Sequence, residues 1–578
     1  MDKNLDRNHI EMKSKDILWL LPFAFLALFY FYPLLTILRL FFSQGDAGEV
    51  IWDAAKSTYL WRITGFTIWQ ACLSTILTLI VGLPGAYIVA RYRFPGKSIF
   101  KALTGVPFVL PPIVTALAFD SLMGTRGWVN TLLLDFLGLG IPPLRFSQTF
   151  GAIIVAHVFY NTTIVLRIVG DFWSRLDPRL TAAARVLGAN RWTVLRTILL
   201  PILWPAIATA GLLVFIFDFT SFGVVLILGG PHFSTLETEI YYQTTALFNL
   251  PYAAVLAVIQ IGCTTGLTLL FNYASARRSQ YLNLRSPILT QRPLHAASGR
   301  IIYIVILGAL ICLLILPILS LAVHSFFEIA PRTTQGEIFT GGITMAYYQQ
   351  LFTGGQISLF DVSPLNAMRT SISYAAITVI LSLSLGLPTA WLLSSSNQSG
   401  SPSAQISRFF NSLILLPLGT SALTLGFGFI IAFGQRPLDL RSSPFIIPLA
   451  HTLVAFPFVV RSLTPAIASI GPRIRHAAEV LGASPWKVIR TIDLPLIGRA
   501  LIVAATFAFT ISLGEFGATT ILSRPEFPTI PIAIFRSLSR PGVMNYGQAI
   551  AMSTLLMACC LAGMLAIERM RISSSGEL

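Results

Sequence analysis

Twelve apolar segments, each long enough to cross a lipid bilayer as a helix, occur along the 578-residue chain. They lie near residues 17–42, 65–90, 100–123, 150–170, 200–228, 251–275, 301–327, 370–394, 409–433, 445–464, 496–522 and 546–568. A helix needs about 20 mostly apolar residues to span the hydrocarbon core, where the backbone must satisfy its own hydrogen bonds. Because these segments are continuously apolar, the sequence predicts an all-α polytopic membrane protein with about twelve transmembrane helices.

The charged residues agree with a membrane location and indicate an orientation. Only 11% of the residues are charged and the mean hydropathy is +0.74, which excludes a single soluble domain and a nucleic-acid binder despite a net charge of +16. With the N-terminus inside, 28 of the 40 Lys and Arg fall in inside segments and 11 in outside loops. Since cytoplasmic loops are enriched in Lys and Arg, both termini are predicted to be cytoplasmic. The first apolar segment lacks a small-residue cleavage site and is expected to remain as a span.

One stretch of the sequence occurs twice, as residues 177–201 and 471–495, at a spacing of 294 residues without a gap. Each copy places a proline (Pro178, Pro472) at a first helical position and a glycine where a left-handed residue would end the helix. Each predicted helix carries aliphatic and alanine residues at i, i+3, i+4 and i+7, and therefore on one face. These residues are Leu180, Ala183, Ala184 and Leu187 in one copy and Ile474, Ala477, Ala478 and Leu481 in the other. The pattern predicts a helix, a glycine elbow and a second helix, made twice.

The duplication extends well beyond these two stretches. Further matched residues at the same spacing are Ala156-His157 and Ala450-His451, Arg167 and Arg461, Phe222-Gly223 and Phe516-Gly517, and Thr235 and Thr529. A polar, basic and proline-containing stretch over 277–300 is predicted to be a cytoplasmic linker between domains 1–276 and 301–578. Each domain has six spans, an even number, so the two domains enter the membrane in the same direction as parallel repeats.

The duplicated stretch resembles the EAA loop of the permeases of binding-protein-dependent ABC importers. The alanine pairs, the glycines and the closing Leu-Pro pairs match that pattern. In that family the loop carries a coupling helix that docks on a separate ATPase subunit. The resemblance assigns this role to Ala183, Ala184, Leu187 and Gly188, and to Ala477, Ala478, Leu481 and Gly482. This sequence departs from the motif at its glutamate position, which holds Ala182 in one copy and His476 in the other.

The external segments around Phe219–Gly223 and Thr235–Tyr241 look most like the thiamine and ferric-iron branch of these permeases, in which two permease domains are commonly fused. The resemblance implies a multi-pass protein of a bacterial-type inner membrane that forms a central path for a small solute. It also implies an extracytoplasmic binding protein that delivers the solute and two copies of an ATPase, one at each loop. The sequence leaves open whether the solute is thiamine-like, ferric iron or another compound.

Four titratable residues inside the spans are candidates for the path: Asp218, Glu515, His157 and His451. A charged side chain near the bilayer centre costs about 2.5–3.5 kcal/mol on insertion scales, so an acid there should face the protein or a path. Two acids without a basic residue at similar depth favour a cationic solute, and nearby phenylalanines such as Phe222 and Phe516 offer cation–π contacts. The alternative is that the acids are structural carboxylates and that each histidine is bonded to a neighbouring helix.

No catalytic, metal or cofactor site is predicted, and the chain is not expected to be an enzyme. The segment Pro95-Gly96-Lys97-Ser98 lacks the first glycine of a phosphate-binding loop, so ATP hydrolysis is expected in a separate subunit. A secondary transporter of the twelve-span type also has two parallel six-span halves and is the main alternative function. A structural membrane scaffold is a second alternative, but the intramembrane acids and prolines argue against a purely structural role.

Overall fold

A computed structural model describes residues 20–43, 56–139, 141–276, 290–294, 299–329, 339–353, 363–396, 413–414, 416–434 and 439–575. Helices account for most of these residues. Before the predicted linker, the helices are α1 (Leu20–Phe42), α2 (Thr58–Arg91), α3 (Lys97–Leu103), α4 (Val106–Val109), α5 (Pro112–Met123), α6 (Trp128–Leu137), α7 (Phe150–Ser174), α8 (Pro178–Val186), α9 (Arg191–Phe219), α10 (Leu236–Thr245) and α11 (Leu250–Ala276).

The second half repeats the order of the long helices. Its helices are α12 (Arg300–His324), α13 (Ala346–Thr353), α14 (Pro364–Ser396), α15 (Ala422–Ala432), α16 (Ile446–Ala468), α17 (Pro472–Val480), α18 (Trp486–Gly514), α19 (Gly517–Leu522), α20 (Ile530–Leu538) and α21 (Val543–Ser575). The short strands are β1 (Tyr92–Arg93), β2 (Arg292–Pro293), β3 (Phe327–Ile329) and β4 (Phe339–Ile343); β1 pairs with β2 in parallel and β3 with β4 antiparallel.

The number of spans agrees with the sequence prediction of about twelve. Among the described residues, ten helices are long and apolar enough to cross a membrane, and a bent pair, Lys97–Val109 with Pro112–Leu137, makes an eleventh. The shorter apolar helix α15 lies where the ninth span was expected. The predicted all-α polytopic fold is therefore confirmed.

Three predicted spans are interrupted in the structure. The third bends by 110° between its two parts, because Pro111 and Pro112 cannot continue the helical hydrogen bonding. The fifth ends at Phe219 rather than near residue 228, and the eleventh ends at Gly514 rather than near residue 522. The chain leaves the helix for three residues after Phe219 and for two after Gly514, and then re-enters helical structure.

The two halves exchange their first spans. Within the first half α2, α7 and α9 pack on one another, and α14, α16 and α18 do the same in the second. The first helix α1, however, packs on α15 of the second half, and α12 packs on α5 of the first. The first helix of each half therefore packs against the third span of the opposite half.

The described end of the predicted linker lies against the first half. Arg292 and Pro293 pair with Tyr92 and Arg93, and the Thr290 hydroxyl donates to the Ser174 carbonyl. Residues 277–289 and 295–298 of the linker lie outside the described residues, so the domain division at 277–300 stays a prediction.

Candidate functional site

Both duplicated loops form the predicted helix and elbow. Asp177 caps α8 by accepting from the Arg179 backbone N–H at 3.0 Å, and the elbow glycine Gly188 has φ +88°. In the second copy α17 ends before Gly482, whose φ is +80°. An L-residue with a side chain rarely adopts this left-handed conformation, which explains the glycine at both positions. Asn190 then caps the following helix by accepting from the Thr193 N–H at 2.7 Å.

The loops expose an apolar surface that the sequence prediction only partly identified. Leu187 and Leu481 are each 87% exposed, and the valines before them are 86% and 88% exposed. The predicted residues Ala183 and Ala477 are also exposed, whereas Ala184 and Ala478 are half-buried. The tryptophan that follows each elbow is also exposed, at 69% and 70%. The exposed sets are Val186, Leu187 and Trp192 in one loop and Val480, Leu481 and Trp486 in the other, and we call them the apolar triads.

The two triads match residue for residue at the spacing of 294. The valines and tryptophans were missed because a helical face was inferred from the i, i+3, i+4 pattern alone. Residues around an elbow do not follow that pattern, although their exact repetition was a visible signal. A duplicated, exposed apolar surface on a connecting loop is typical of a contact site for a partner protein.

The second loop carries an anchor that the first lacks. Arg475 in α17 donates from Nε to Asp493 Oδ1 at 2.9 Å, and its guanidinium lies 4.9 Å from the ring centre of Trp391. The repeat positions of Arg475 and Asp493 in the first half are Thr181 and Leu199. The ion pair and the ring contact thus tie α17 to α18 and α14. The two loops are therefore fixed to their halves by different interactions.

Each half encloses a buried histidine that is hydrogen-bonded on both ring nitrogens. In the first half, His157 Nδ1 lies 3.1 Å from Ser74 Oγ and 3.5 Å from Asp218 Oδ1, and Nε2 lies 2.8 Å from Ser221 Oγ. The histidine thus joins α7 to α2 and to the end of α9.

In the second half, His451 has the same position in the repeat with the polar partners exchanged. His451 Nδ1 lies 2.8 Å from Ser512 Oγ, and Nε2 lies 3.2 Å from Glu515 Oε2 and 2.8 Å from Thr519 Oγ1. Ser512 is the repeat partner of Asp218, and Glu515 is the repeat partner of Ser221. Of these two repeat-related positions, the acid therefore faces Nδ1 and the serine Nε2 in the first half, and the acid faces Nε2 and the serine Nδ1 in the second.

The two acids also serve their own helices. Asn161 Nδ2 donates to Asp218 Oδ1 at 2.7 Å, while Asp218 Oδ2 has no hydrogen-bond partner among the described residues. Glu515 accepts from the backbone N–H groups of Ala518 at 2.8 Å and Thr519 at 3.0 Å, which is how a carboxylate caps a helix. These contacts support the structural alternative for both acids, and their role in a path stays a prediction.

The ends of α9 and α18 meet at the boundary between the halves. A Cβ atom built on Gly223 would lie 2.7 Å from Pro112 Cβ and 3.1 Å from Phe516 Cδ1. A Cβ on Gly514 would lie 3.3 Å from Pro111 Cγ. The broken third span thus packs against both helix ends, and the backbone approach at Gly223 leaves no space for a side chain. The interruptions in spans three, five and eleven therefore coincide in space.

Another buried acid, Glu237 in α10, was not identified from the sequence. Gln260 Nε2 donates to its Oε1, and Ser421 Oγ of the second half donates to its Oε2 at 2.7 Å. Thr424, also of the second half, donates to Gln260 Oε1 at 3.0 Å. The pKa of the Glu237 carboxyl is raised to about 8, because the effect of burial outweighs the hydrogen bonds from Ser421 and Gln260 that lower it. The network links α10 and α11 to the start of α15, so it crosses between the halves.

The described residues contain no group of three or more His, Cys, Asp or Glu side chains that could hold a metal ion. A cavity of about 500 Å³ lies in the second half beside the ends of α15 and α19, with Asp439, Arg441 and Arg524 in its wall. None of the predicted path residues lines this cavity.

Comparison with known proteins finds similarity to permeases of the kind that the sequence resembles. Residues 82–280 match the family described as binding-protein-dependent transport system inner membrane component. The chain is 25% identical over 519 residues to the thiamine transport system permease protein of Escherichia coli (strain K12), covering 89% of this chain and 90% of that protein. It is 26% identical over 530 residues to the thiamine transport system permease protein of Brucella abortus (strain 2308), covering 91% and 90%. It is also 25% identical over 538 residues to a probable ABC transporter permease protein of Sinorhizobium fredii (strain NBRC 101917 / NGR234), covering 92% and 91%.

Proposed function

We infer that this chain is an inner-membrane permease of a binding-protein-dependent ABC importer. The observation that carries this conclusion is the agreement between the family match over residues 82–280 and the duplicated elbow loops, which the relatives' coverage extends to both halves. The main function predicted from the sequence is thereby supported over a twelve-span secondary transporter. The permease supplies the membrane path, and its partners are a solute-binding protein and an ATPase subunit.

Each apolar triad is the docking surface for one copy of the ATPase. Two triads related by the internal repeat favour two equivalent contacts, hence two ATPase copies below one permease. The EAA glutamate is replaced in both loops, so docking relies on apolar contact rather than on that carboxylate. Burial of exposed Leu and Trp side chains is a common source of affinity at protein interfaces.

The solute is an organic cation of the thiamine type. Two relatives that align over about nine tenths of the chain are named as thiamine transport permeases, which favours thiamine over ferric iron. Aromatic residues at the boundary between the halves provide ring faces that attract organic cations. The halves rock against each other as the ATPase closes and opens, and the solute crosses where they meet.

The test is uptake of thiamine by the reconstituted importer. The permease is co-purified with the ATPase from its gene neighbourhood, placed in liposomes and supplied with the neighbouring solute-binding protein and labelled thiamine. We expect accumulation that requires both ATP and the binding protein. The binding protein could instead co-purify with a different ligand, and the importer could accumulate that ligand and not thiamine. This result would refute the substrate assignment and leave the permease class intact.

Cytoplasmic termini and cytoplasmic elbow loops form a separate prediction, motivated by the distribution of Lys and Arg. Single cysteines at the exposed positions Arg185 and Val480 should react from the cytoplasmic side, and those at Ala246 and Ser539 from the opposite side. The background is a variant without the five native cysteines, Cys72, Cys263, Cys312, Cys559 and Cys560. An impermeant maleimide applied to intact cells and to inverted vesicles measures the side. Labelling of Ala246→Cys from the cytoplasm alone would contradict the orientation.

A further inference from the structure

Four aromatic rings form a continuous column across the boundary between the halves. Phe222 and Phe516 are stacked, with ring centroids 5.6 Å apart and an interplanar angle of 19°. Tyr241 lies 5.3 Å from Phe222, and Phe535 lies 5.6 Å from Phe516. We call Tyr241, Phe222, Phe516 and Phe535, in that order, the aromatic column.

The column is symmetric in the internal repeat. Phe516 is 294 residues after Phe222, and Phe535 is 294 residues after Tyr241. When a residue stacks on its own repeat partner, the pseudo-two-fold axis that relates the two halves passes between them. Phe222 and Phe516 therefore stand at the centre of the molecule, where a path shared equally by two parallel halves must run.

At this point the path is closed. Phe222 and Phe516 are both buried, and they follow directly after the ends of α9 and α18. Pro112 and Gly223 pack so closely beside them that the Gly223 position admits no side chain. A solute cannot pass between the halves without separating the two central rings, so the stack acts as a gate.

An acid lies near one side of the column. Glu237 precedes Tyr241 by four residues in α10, and such residues share a helix face. In the closed structure its carboxyl group is held by Gln260 of its own half and by Ser421 of the other. Separation of the halves breaks the bond to Ser421 and admits water, in which a carboxyl group ionises more readily. Pro531 occupies the repeat position of Glu237, so this charge appears on one side only.

We propose that the aromatic column is the gate of the translocation path, and that its separated ring pairs bind a flat organic cation with Glu237 as counter-charge. This inference rests on the proposed function, since it names the residues that recognise the solute of that same path. The ring faces attract the cation and the acid balances it, while the pairing of the rings closes the path again after release.

The first experiment replaces rings by aliphatic side chains of similar bulk. Phe222→Leu and Phe516→Leu should each lower thiamine uptake about 2- to 30-fold at saturating binding protein, the range of one cation–π contact. Phe222→Tyr keeps the ring and should retain most of the uptake. Phe119→Leu is the matched control, because Phe119 is buried and stacked on Phe146 within the first half. Leucine variants that transport as well as the control would overturn the aromatic site.

The second experiment tests the gate without reference to the solute. Phe222→Cys with Phe516→Cys, in the cysteine-free background, is cross-linked by oxidation or by a short bifunctional thiol reagent. In the cross-linked importer, the rate of ATP hydrolysis stimulated by the binding protein should fall at least 10-fold. Reduction of the disulfide should restore this rate. The corresponding pair Phe119→Cys and Phe146→Cys lies within one half and should have no such effect.

The two experiments distinguish an error in the substrate assignment from an error in the gate. Failure of the wild-type importer to move thiamine refutes the substrate in the proposed function, whereas the cross-link still reports on the gate through ATP hydrolysis. A cross-link that forms in full and leaves ATP hydrolysis unchanged overturns the gate, whatever the solute is.

Discussion

Replacing Leu187 and Leu481 together by aspartate is expected to abolish ATP-driven uptake while the permease remains inserted in the membrane. Both side chains are almost fully exposed at the tips of the elbow loops. Burying one leucine contributes about 1.5–3 kcal/mol, which corresponds to roughly 10- to 150-fold in affinity. An aspartate at the same place loses this contribution and adds an unpaired charge to an apolar interface. The loss of binding free energy at both loops should be large enough to prevent stable binding of the ATPase.

The measurement is co-purification of the ATPase with the permease, together with uptake in liposomes. Leu187→Met with Leu481→Met is the control, since methionine preserves the apolar volume and should retain the ATPase. The single aspartate variants test the asymmetry between the loops, because the Arg475–Asp493 pair holds only the second one. A double aspartate variant that keeps the ATPase at wild-type affinity would show that docking does not depend on the apolar triads.

The elbow loops were predictable because their structure is local. Proline at a helix start and glycine at its end specify the backbone within a dozen residues, and both glycines have the expected positive φ. The number of spans was predictable for a similar reason, since continuous apolarity over about 20 residues decides it. The repeat also identified the equivalence of His157 and His451 before any contact was known.

The buried acid Glu237 and the early ends of two helices, which the sequence did not predict, depend on contacts between distant segments. Glu237 stands in a polar stretch between two spans, and nothing near it in the sequence indicates that Ser421 of the other half buries it. The early ends of α9 and α18 follow from the packing of Pro111 and Pro112 against Gly514 and Gly223. Apolarity continues through those ends, so hydropathy alone extended both spans too far.

The exchanged partners of the two histidines give the last prediction. In one half the acid, Asp218, faces Nδ1 and a serine faces Nε2, and in the other half Glu515 faces Nε2 and a serine faces Nδ1. If the acids are structural, Asp218→Ser removes the acceptor of Asn161, and Glu515→Gln turns an amide donor toward backbone N–H groups. Each loss should cost about 1–3 kcal/mol of stability, the usual range for a buried group left unsatisfied.

A double exchange distinguishes structure from transport. Asp218→Ser with Ser221→Glu gives the first half the arrangement of the second, so it should recover part of the stability lost by Asp218→Ser alone. Thermal unfolding of the purified permease measures stability, and uptake per folded molecule measures transport. The control is Asp171→Asn, which removes a half-exposed acid 3.5 Å from Lys101 and should change stability little. Because Asp218 and Glu515 engage their own halves, we expect lower stability and unchanged uptake per folded molecule. The opposite result, normal stability with uptake lost while ATP hydrolysis continues, would place both acids in the path.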